Sequence, residues 1–325
     1  MPIKITVLAG GIGGARFLKG VRKIPNSKVT AIVNNGDDIS LHGLRICPDL
    51  DSVMYNLAGV SNVEQGWGRA EETWTVQREL ANYTHEAPWF NIGDKDFATH
   101  IYRTELLNQG VLLHEIVKRL CKKWQIDVEL IPSTNAFVET FVELAEPYLG
   151  KDAIHFQEWW VGHRAKLVAK NFRLIGAESA SPAPGVVEAI ENADVILLAP
   201  SNPVVSIGMI LEIPRIRVAL SSAKAPIIGT SPIIGGNPVL GMADKCLMAL
   251  GLTTSAFSVA KLYGARHDGG LLDGWLISDS DEDQIAKISG LGIATKAAPL
   301  LMTDDEKTLR MAISALELAG ISVSP

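Results

Sequence analysis

Cysteine is scarce in this chain: Cys47, Cys121 and Cys246 are the only three in 325 residues, widely spaced and without a CxxC pair. That excludes a disulfide framework or a cysteine zinc site, and it reads as reduced thiols in a cytoplasmic protein. No run of Lys and Arg exceeds two residues, and the net charge is −6 with a pI near 5.7. Neither nucleic acid nor an anionic membrane surface is therefore an expected partner. No uncharged apolar run reaches the length of a membrane span. The opening Met1-Pro2-Ile3-Lys4-Ile5 lacks the basic and apolar regions of a signal peptide. HExxH and GxSxG are also missing, which removes two routes to hydrolysis.

What is present is an ordinary globular composition, 47% hydrophobic and 20% charged, in a chain long enough to bury a large core. Ile3 to Ala9 is a short β-branched run ending in glycines, Ala15 to Ile24 has helical spacing, and Val29 to Val33 is apolar again. Strand, glycine turn, helix, strand is the opening of a doubly wound sheet, and both strands read as mainly apolar runs rather than alternating ones, as strands covered on both faces should. From Asp51 to about Trp124 the pattern is mostly helical, with Thr73 to Tyr83 and Leu112 to Trp124 as the clearest helices. Phe137 to Leu144 and Ile154 to Val161 read as antiparallel strands, because polar and apolar residues alternate in the first of them. The parallel sheet resumes with Asp194 to Ala199 and Pro226 to Gly229, and residues 237–252 and 304–319 read as helices. The expected fold is α/β: a Rossmann-like, mainly parallel doubly wound sheet in one domain, 1–325. A mixed helical and antiparallel insertion is expected over roughly 52–175.

Two features carry chemistry. The turn Gly10-Gly11-Ile12-Gly13-Gly14 opens the first βαβ unit, where glycines let a backbone approach a phosphate. It lacks the Gly-Lys-Ser/Thr ending of a P-loop, and the third glycine of a dinucleotide fingerprint is replaced by Arg16. The second feature is Asn35-Gly36-Asp37-Asp38 followed by Pro48-Asp49-Leu50-Asp51, four carboxylates within fifteen residues. Adjacent carboxylates repel unless a cation offsets them. In extended geometry Asp49 and Asp51 face the same way, toward a common ion; a helix cap is the alternative for that pair. All candidate ligands are oxygen, which selects Mg²⁺. Ser201-Asn202-Pro203 follows a buried strand, where open α/β sheets bind ligands. Asp94, Lys95, Asp96, His100 and Arg103 form a further polar patch, with helix capping as probable for Asp94 or Asp96 as substrate binding. Trp67, Trp74 and Trp89 can stack on an aromatic ligand or pack in the core.

Read together, Leu8-Ala9-Gly10-Gly11-Ile12-Gly13-Gly14-Ala15-Arg16-Phe17-Leu18, Asn35-Gly36-Asp37-Asp38, Pro48-Asp49-Leu50-Asp51, Gly66-Trp67-Gly68, Gly93-Asp94-Lys95-Asp96-Phe97-Ala98-Thr99-His100, Pro200-Ser201-Asn202-Pro203 and Ser231-Pro232-Ile233-Ile234-Gly235-Gly236 resemble the 2-phospho-L-lactate transferase family of coenzyme F-420 biosynthesis. The match runs in order from about residue 3 to 280. Within the family the chain looks most like the actinobacterial branch, which uses a phosphoenolpyruvyl donor. The resemblance implies transfer of a phosphoenolpyruvyl or 2-phospholactyl group from a guanylyl-activated donor to the deazaflavin Fo, with release of GMP, a requirement for Mg²⁺ and a homodimer. Carried onto this chain, it makes Asp37 a deazaflavin contact, with Trp74 and Val76 at the second such position. Asp37, Asp49 and Asp51 are the expected metal ligands. Asp37 and Asp38 are the expected catalytic pair, Asp38 accepting the ribityl proton. Gly10, Gly11, Gly13, Gly14, Ser201 and Asn202 are expected to hold the nucleotide.

Two other readings compete. A non-catalytic regulator of the gluconeogenesis-factor type, binding a nucleotide or nucleotide-sugar, shares the glycine loop and the Asn-Pro turn. An NAD(P)-dependent oxidoreductase shares the βαβ opening, but the broken fingerprint and the doubled acid argue against it.

Overall fold

The structure, a computed structural model, describes residues 1–62, 66–84 and 88–323. Its frame is a seven-stranded sheet in which every neighbouring pair is parallel. The strands are β1 (Ile3–Ala9), β2 (Ser27–Val33), β3 (Glu129–Pro132), β4 (Val195–Leu198), β5 (Ile227–Thr230), β6 (Gly274–Ser278) and β7 (Ala294–Ala298). Their order across the sheet is β3-β2-β1-β4-β5-β6-β7. The direction of winding reverses between β1 and β4, so a crevice opens beyond their carboxyl ends, the general ligand position of such sheets.

The mainly apolar sequences of β1, where the buried Thr6 hydroxyl donates to the Ala189 carbonyl, and of β4 are explained by the two cores they serve. Leu8, Ile196 and Leu198 point into one core, and Ile5, Val7, Ala9, Val195 and Leu197 into the other. Successive side chains alternate faces, so a strand covered on both sides has apolar residues on both of them. Each such fully buried aliphatic side chain contributes about 1.5–3 kcal/mol.

Helix α1 (Gly11–Val21) buries Ala15, Phe17, Leu18 and Val21 against this second core, beside α2 (Pro48–Ala58) and the C-terminal helix Asp305–Leu318. The sequence reading starts the first helix at Ala15; it begins four residues earlier, inside the glycine turn. Helices α3 (Thr75–Thr84), α4 (Asp94–Asn108) and α5 (Leu113–Lys123) follow. The chain then returns to the parallel sheet as β3. Residues 52–175, read from sequence as one insertion, are thus divided by a strand of the central sheet, with helices before it and an antiparallel sheet after it. In that sheet Glu139–Tyr148 pairs with both Lys151–His155 and Ala169–Ile175. Its buried residues Thr140, Val142 and Leu144 alternate with partly exposed ones, as expected. The strand expected through Val161 ends at His155 and gives way to a π-helical turn, Glu158–Gly162.

The helix expected over 237–252 is shorter, Ala243–Ala249. Pro238 pairs with Ile233 in a small antiparallel hairpin, and Gly241 adopts φ +80°, so neither can continue a helix. Strands β6 and β7 have no counterpart in the sequence reading. Among the described residues no helix is long and apolar enough to cross a membrane.

Candidate active site

The loop after β1 and the loop after β4 are tied together by one hydroxyl. Ser201 Oγ accepts from the Gly10 N–H at 3.0 Å and donates to the Gly10 carbonyl at 2.7 Å. Gly11, at φ +58°, starts α1 directly. The glycines are demanded first by the protein's own packing. A Cβ at Gly10 would sit 2.4 Å from Asp49 Oδ2, and one at Gly13 would sit 2.3 Å from the Pro200 carbonyl oxygen. Asn202 is likewise engaged: its Oδ1 accepts from the N–H groups of Val204 (3.0 Å) and Val205 (3.2 Å), and its Nδ2 faces Cys246 Sγ at 3.4 Å. Ser201 and Asn202 therefore build the wall of the crevice, and their polar atoms are occupied in doing so.

The loop after β2 brings the acids alongside. Asn34 Nδ2 donates to both Asp37 Oδ1 and Asp49 Oδ2, the latter at 2.9 Å, so one amide holds two carboxylates together. Gln157 Nε2 donates to Asp37 Oδ2 at 3.2 Å, and Ser206 Oγ lies 3.5 Å from Asp49 Oδ2. Neither carboxylate forms an ion pair with a Lys or Arg among the described residues, and both are buried. Burial first, then the charges of Asp49 and Asp38, raise the Asp37 carboxyl well above the ordinary range. Burial raises Asp49 to about 6, against hydrogen bonds from Asn34, Gly11 and Ser206 that lower it. Two buried carboxylates gathered on one donor without a positive partner suit a divalent cation that takes its other ligands from water and substrate phosphates. Among the described residues no three His, Cys, Asp or Glu side chains form a metal site by themselves.

The other two acids of the motif are held differently: Asp51 reaches the cavity wall already paired with Arg103, and Asp38 does not reach it. Asp49 and Asp51 lie in the first turn of α2 and not on an extended segment. Two residues on a helix are about 200° apart, so the common-ion geometry expected for the pair does not form. Asp51 accepts a bidentate bond from Arg103 of α4, with Oδ2 at 3.0 Å from Nη1, and His100 Nδ1 lies 3.6 Å from Oδ2. Arg103 is fully buried, and burial holds His100 neutral, its value lowered to about 4. Asp38, expected to take the ribityl proton, is not among the residues that line the cavity. It is 1% exposed, has no hydrogen-bond donor on either oxygen, and finds Arg45 Nε at 3.7 Å. Burial raises it to about 7 despite that cation.

The cavity itself has a volume of about 380 Å³, within the range of small-molecule sites. Gly10–Gly13, Arg16, Asp37, Asp49, Ser201 and Ser206 line its polar part. Trp67, Phe90, Phe156 and Trp160 form an aromatic wall, and Ile234, Val239, Leu240 and Met242 an aliphatic one. Of the three tryptophans singled out in the sequence, only Trp67 reaches this cavity. Trp74 lines an adjoining hollow that shares Trp67, Gly68, Asn91 and Asp96 with it. Val76 lines neither; it is exposed, and its N–H donates to Asp94 Oδ1 at 3.0 Å. Asp94 thus anchors the start of α3, through Thr73 and the Thr75 N–H as well.

Several participants were not singled out in the sequence: Asn34, Gln157, Ser206 and Arg45. Asn34 could have been flagged by its position at the strand end. Gln157 and Ser206 could not, since each arrives from an element more than 100 residues away.

The chain is similar to known proteins along nearly its whole length. A family model described as "2-phospho-L-lactate transferase CofD" matches residues 5–317. The chain is 50% identical over 321 residues to a phosphoenolpyruvate transferase of Nocardia farcinica, covering 98% of this chain and 95% of that one. It is 52% identical over 318 residues to one of Streptomyces coelicolor and 51% identical over 326 to one of Thermobifida fusca, with 98% of both chains covered in each case. In fold it resembles the crystal structure of a UPF0052-family protein from Bacillus halodurans, with a TM-score of 0.62 at 18% identity, over 97% of this chain and 100% of that one.

Proposed function

The chain belongs to the 2-phospho-L-lactate transferase CofD family, and from that premise we propose that this transferase of coenzyme F-420 biosynthesis moves a phosphoenolpyruvyl group from a guanylyl-activated donor to the deazaflavin Fo. The donor assignment follows the names of the relatives that are about half identical to it. The observation that carries the mechanism is the pair Asp37 and Asp49, buried together at the cavity and ion-paired to no Lys or Arg among the described residues.

In this reading Asp37 and Asp49 hold Mg²⁺, which when bound neutralises charge on the donor's diphosphate. Asp37 also faces the acceptor, and one of its carboxylate oxygens takes the proton of the ribityl hydroxyl. The hydroxyl oxygen bonds to the phosphorus that carries the phospho-acid. The bond from that phosphorus to the bridging oxygen breaks, and its electron pair leaves on GMP. Gln157 and Asn34 fix the Asp37 carboxylate at both oxygens, so little reorganisation is needed when charge develops. Trp67, Phe90 and Trp160 stack on the flat deazaflavin and exclude water from the reacting centre. Asp51 serves this site by holding Arg103, and Asp38 by its place behind Asp37.

The test is incubation of the purified protein with Fo, Mg²⁺ and each guanylyl-activated donor in turn, with products read by mass spectrometry. A phosphoenolpyruvyl adduct of Fo with an equivalent of GMP is expected. A phospholactyl adduct alone would overturn the donor assignment and keep the reaction. Absence of both adducts in protein that still binds GMP would replace the transferase reading with that of a non-catalytic nucleotide binder.

A further inference from the structure

Four carboxylates line the cavity, those of Asp37, Asp49, Asp51 and Asp96, and a single Lys or Arg does so among the described residues, Arg16. The other cations near the acids are committed elsewhere. Arg103 is bound to Asp51, Arg45 to Glu139 and the Val138 carbonyl, and Lys95 to the Ala70 carbonyl. Arg16 is different: it is half-buried, faces the cavity, and forms no ion pair or side-chain hydrogen bond among the described residues.

Its place on α1 says what it is for. Ile12, Gly13 and Arg16 are spaced at i, i+1 and i+4, all three line the cavity, and they share one face of the helix. Helical side chains lean toward the amino end of their own helix, so the guanidinium of Arg16 extends over the first turn of α1. The amide groups of that turn and the positive end of the helix are there. Asp49 lies against Gly10 and Gly11 at the same end, with the Gly11 N–H donating to it. The cavity therefore has a buried carboxylate pair, suited to a metal, and one cationic side chain without a protein partner among the described residues, Arg16.

We propose that Arg16 binds the phosphate of the nucleotide leaving group, holding it in the ground state and stabilising the charge it gains as the bridging P–O bond breaks. This rests on the transferase reading above and adds to it the residue that receives the departing phosphate. A guanidinium suits the task because its planar fork offers two parallel donors to two phosphate oxygens, and it stays charged at every working pH. The proton balance is unaffected: the ribityl proton goes to Asp37, and the electron pair stays on the GMP phosphate paired with Arg16.

The experiment compares GMP and guanosine binding by calorimetry to the wild-type protein, Arg16→Gln and Arg16→Lys, each with Mg²⁺, and then measures kcat and KM for transfer. The expected result is that Arg16→Gln weakens GMP binding roughly ten- to hundredfold while guanosine binding is unchanged, because one charged hydrogen-bonding group is lost. Arg16→Lys should recover part of that affinity, and kcat should fall in Arg16→Gln at saturating donor. Unchanged thermal midpoints would show that both variants fold. Equal GMP affinity in wild type and Arg16→Gln would overturn the proposal and leave the transferase reading standing. Failure of the wild-type protein to bind GMP at all would instead remove the reading on which the proposal rests.

Discussion

Asp37 and Asp38 are neighbours in sequence and opposites in place. Asp37 faces the cavity and shares Asn34 with Asp49, whereas Asp38 is buried behind it, with Arg45 Nε at 3.7 Å. Replacing Asp37 by Asn should lower turnover roughly a hundredfold or more, through loss of the proton acceptor and of a metal ligand. Asp38→Asn should cost far less turnover and should change stability in a pH-dependent way. The Asp38 carboxyl titrates near 7 in the folded protein because burial disfavours its charge, and near an ordinary ~3.9 in the unfolded chain. The unfolded chain therefore releases this proton first as pH rises. Asp38 makes folding less favourable progressively from about pH 4, and its cost levels off above about pH 7. The advantage of Asp38→Asn over wild type should widen across that window, measured as the difference in urea midpoint at several pH values without added metal. A constant difference would mean that Asp38 does not titrate there.

The elements that hold the site are joined at points where a single atom has no room. Gly13 in α1 lies so close to the Pro200 carbonyl that a methyl group cannot be admitted without moving the backbone of one loop or the other. Gly13→Ala should therefore cost about 1–3 kcal/mol in denaturant unfolding. It should reduce activity further, because the displaced parts carry Ser201 and the amino end of α1. The clasp between α2 and α4 is of another kind. Arg103 and Asp51 form a buried ion pair, and removing one partner strands the other charge in the interior. Arg103→Leu should destabilise by about 3–5 kcal/mol, whereas Arg103→Leu with Asp51→Leu should cost clearly less. A double variant as unstable as the sum of the two singles would show that the pair has no such coupling.

At the scale of the whole molecule, the cavity is where several separate stretches of chain meet over the point at which the sheet reverses. The aromatic wall comes from the connections on either side of α3, with Trp67 and Phe90, and from the segment between Lys151–His155 and Ala169–Ile175 of the antiparallel sheet, while the polar floor comes from the loops after β1, β2 and β4 and the start of α2. Acceptor and nucleotide should therefore be separable. Trp67→Ala should weaken Fo binding about tenfold, read by quenching of the remaining tryptophan fluorescence, through lost stacking. The upward shift of the thermal midpoint on adding GMP and Mg²⁺ should survive that change. A site filled to a hundred times its Kd stabilises the fold by about 2.7 kcal/mol. Loss of the nucleotide shift in Trp67→Ala would show instead that one ligand site spans both walls.

The seven ordered strings of residues determined the family, and the apolar runs of β1, β2, β4 and β5 determined a parallel, doubly wound sheet, because a strand covered on both faces leaves a pattern that local chemistry alone can reveal. The antiparallel strand Glu139–Tyr148 was legible for the converse reason: one face is wet, so its residues alternate. β3 and β7 were not. β3 is four residues long, β7 is a short run of Ala, Thr and Lys, and each is a strand only because a neighbour supplies its hydrogen-bond ladder. The acids were legible as a group but not as individuals. Which carboxylate faces the cavity and which is buried behind it depends on side chains from far along the chain. Gln157 holds Asp37, Arg103 takes Asp51 away from any ion it might have shared with Asp49, and Arg45 sits beside Asp38. A charge is assigned its role by what surrounds it when water is excluded, and that surrounding exists only once the chain has folded.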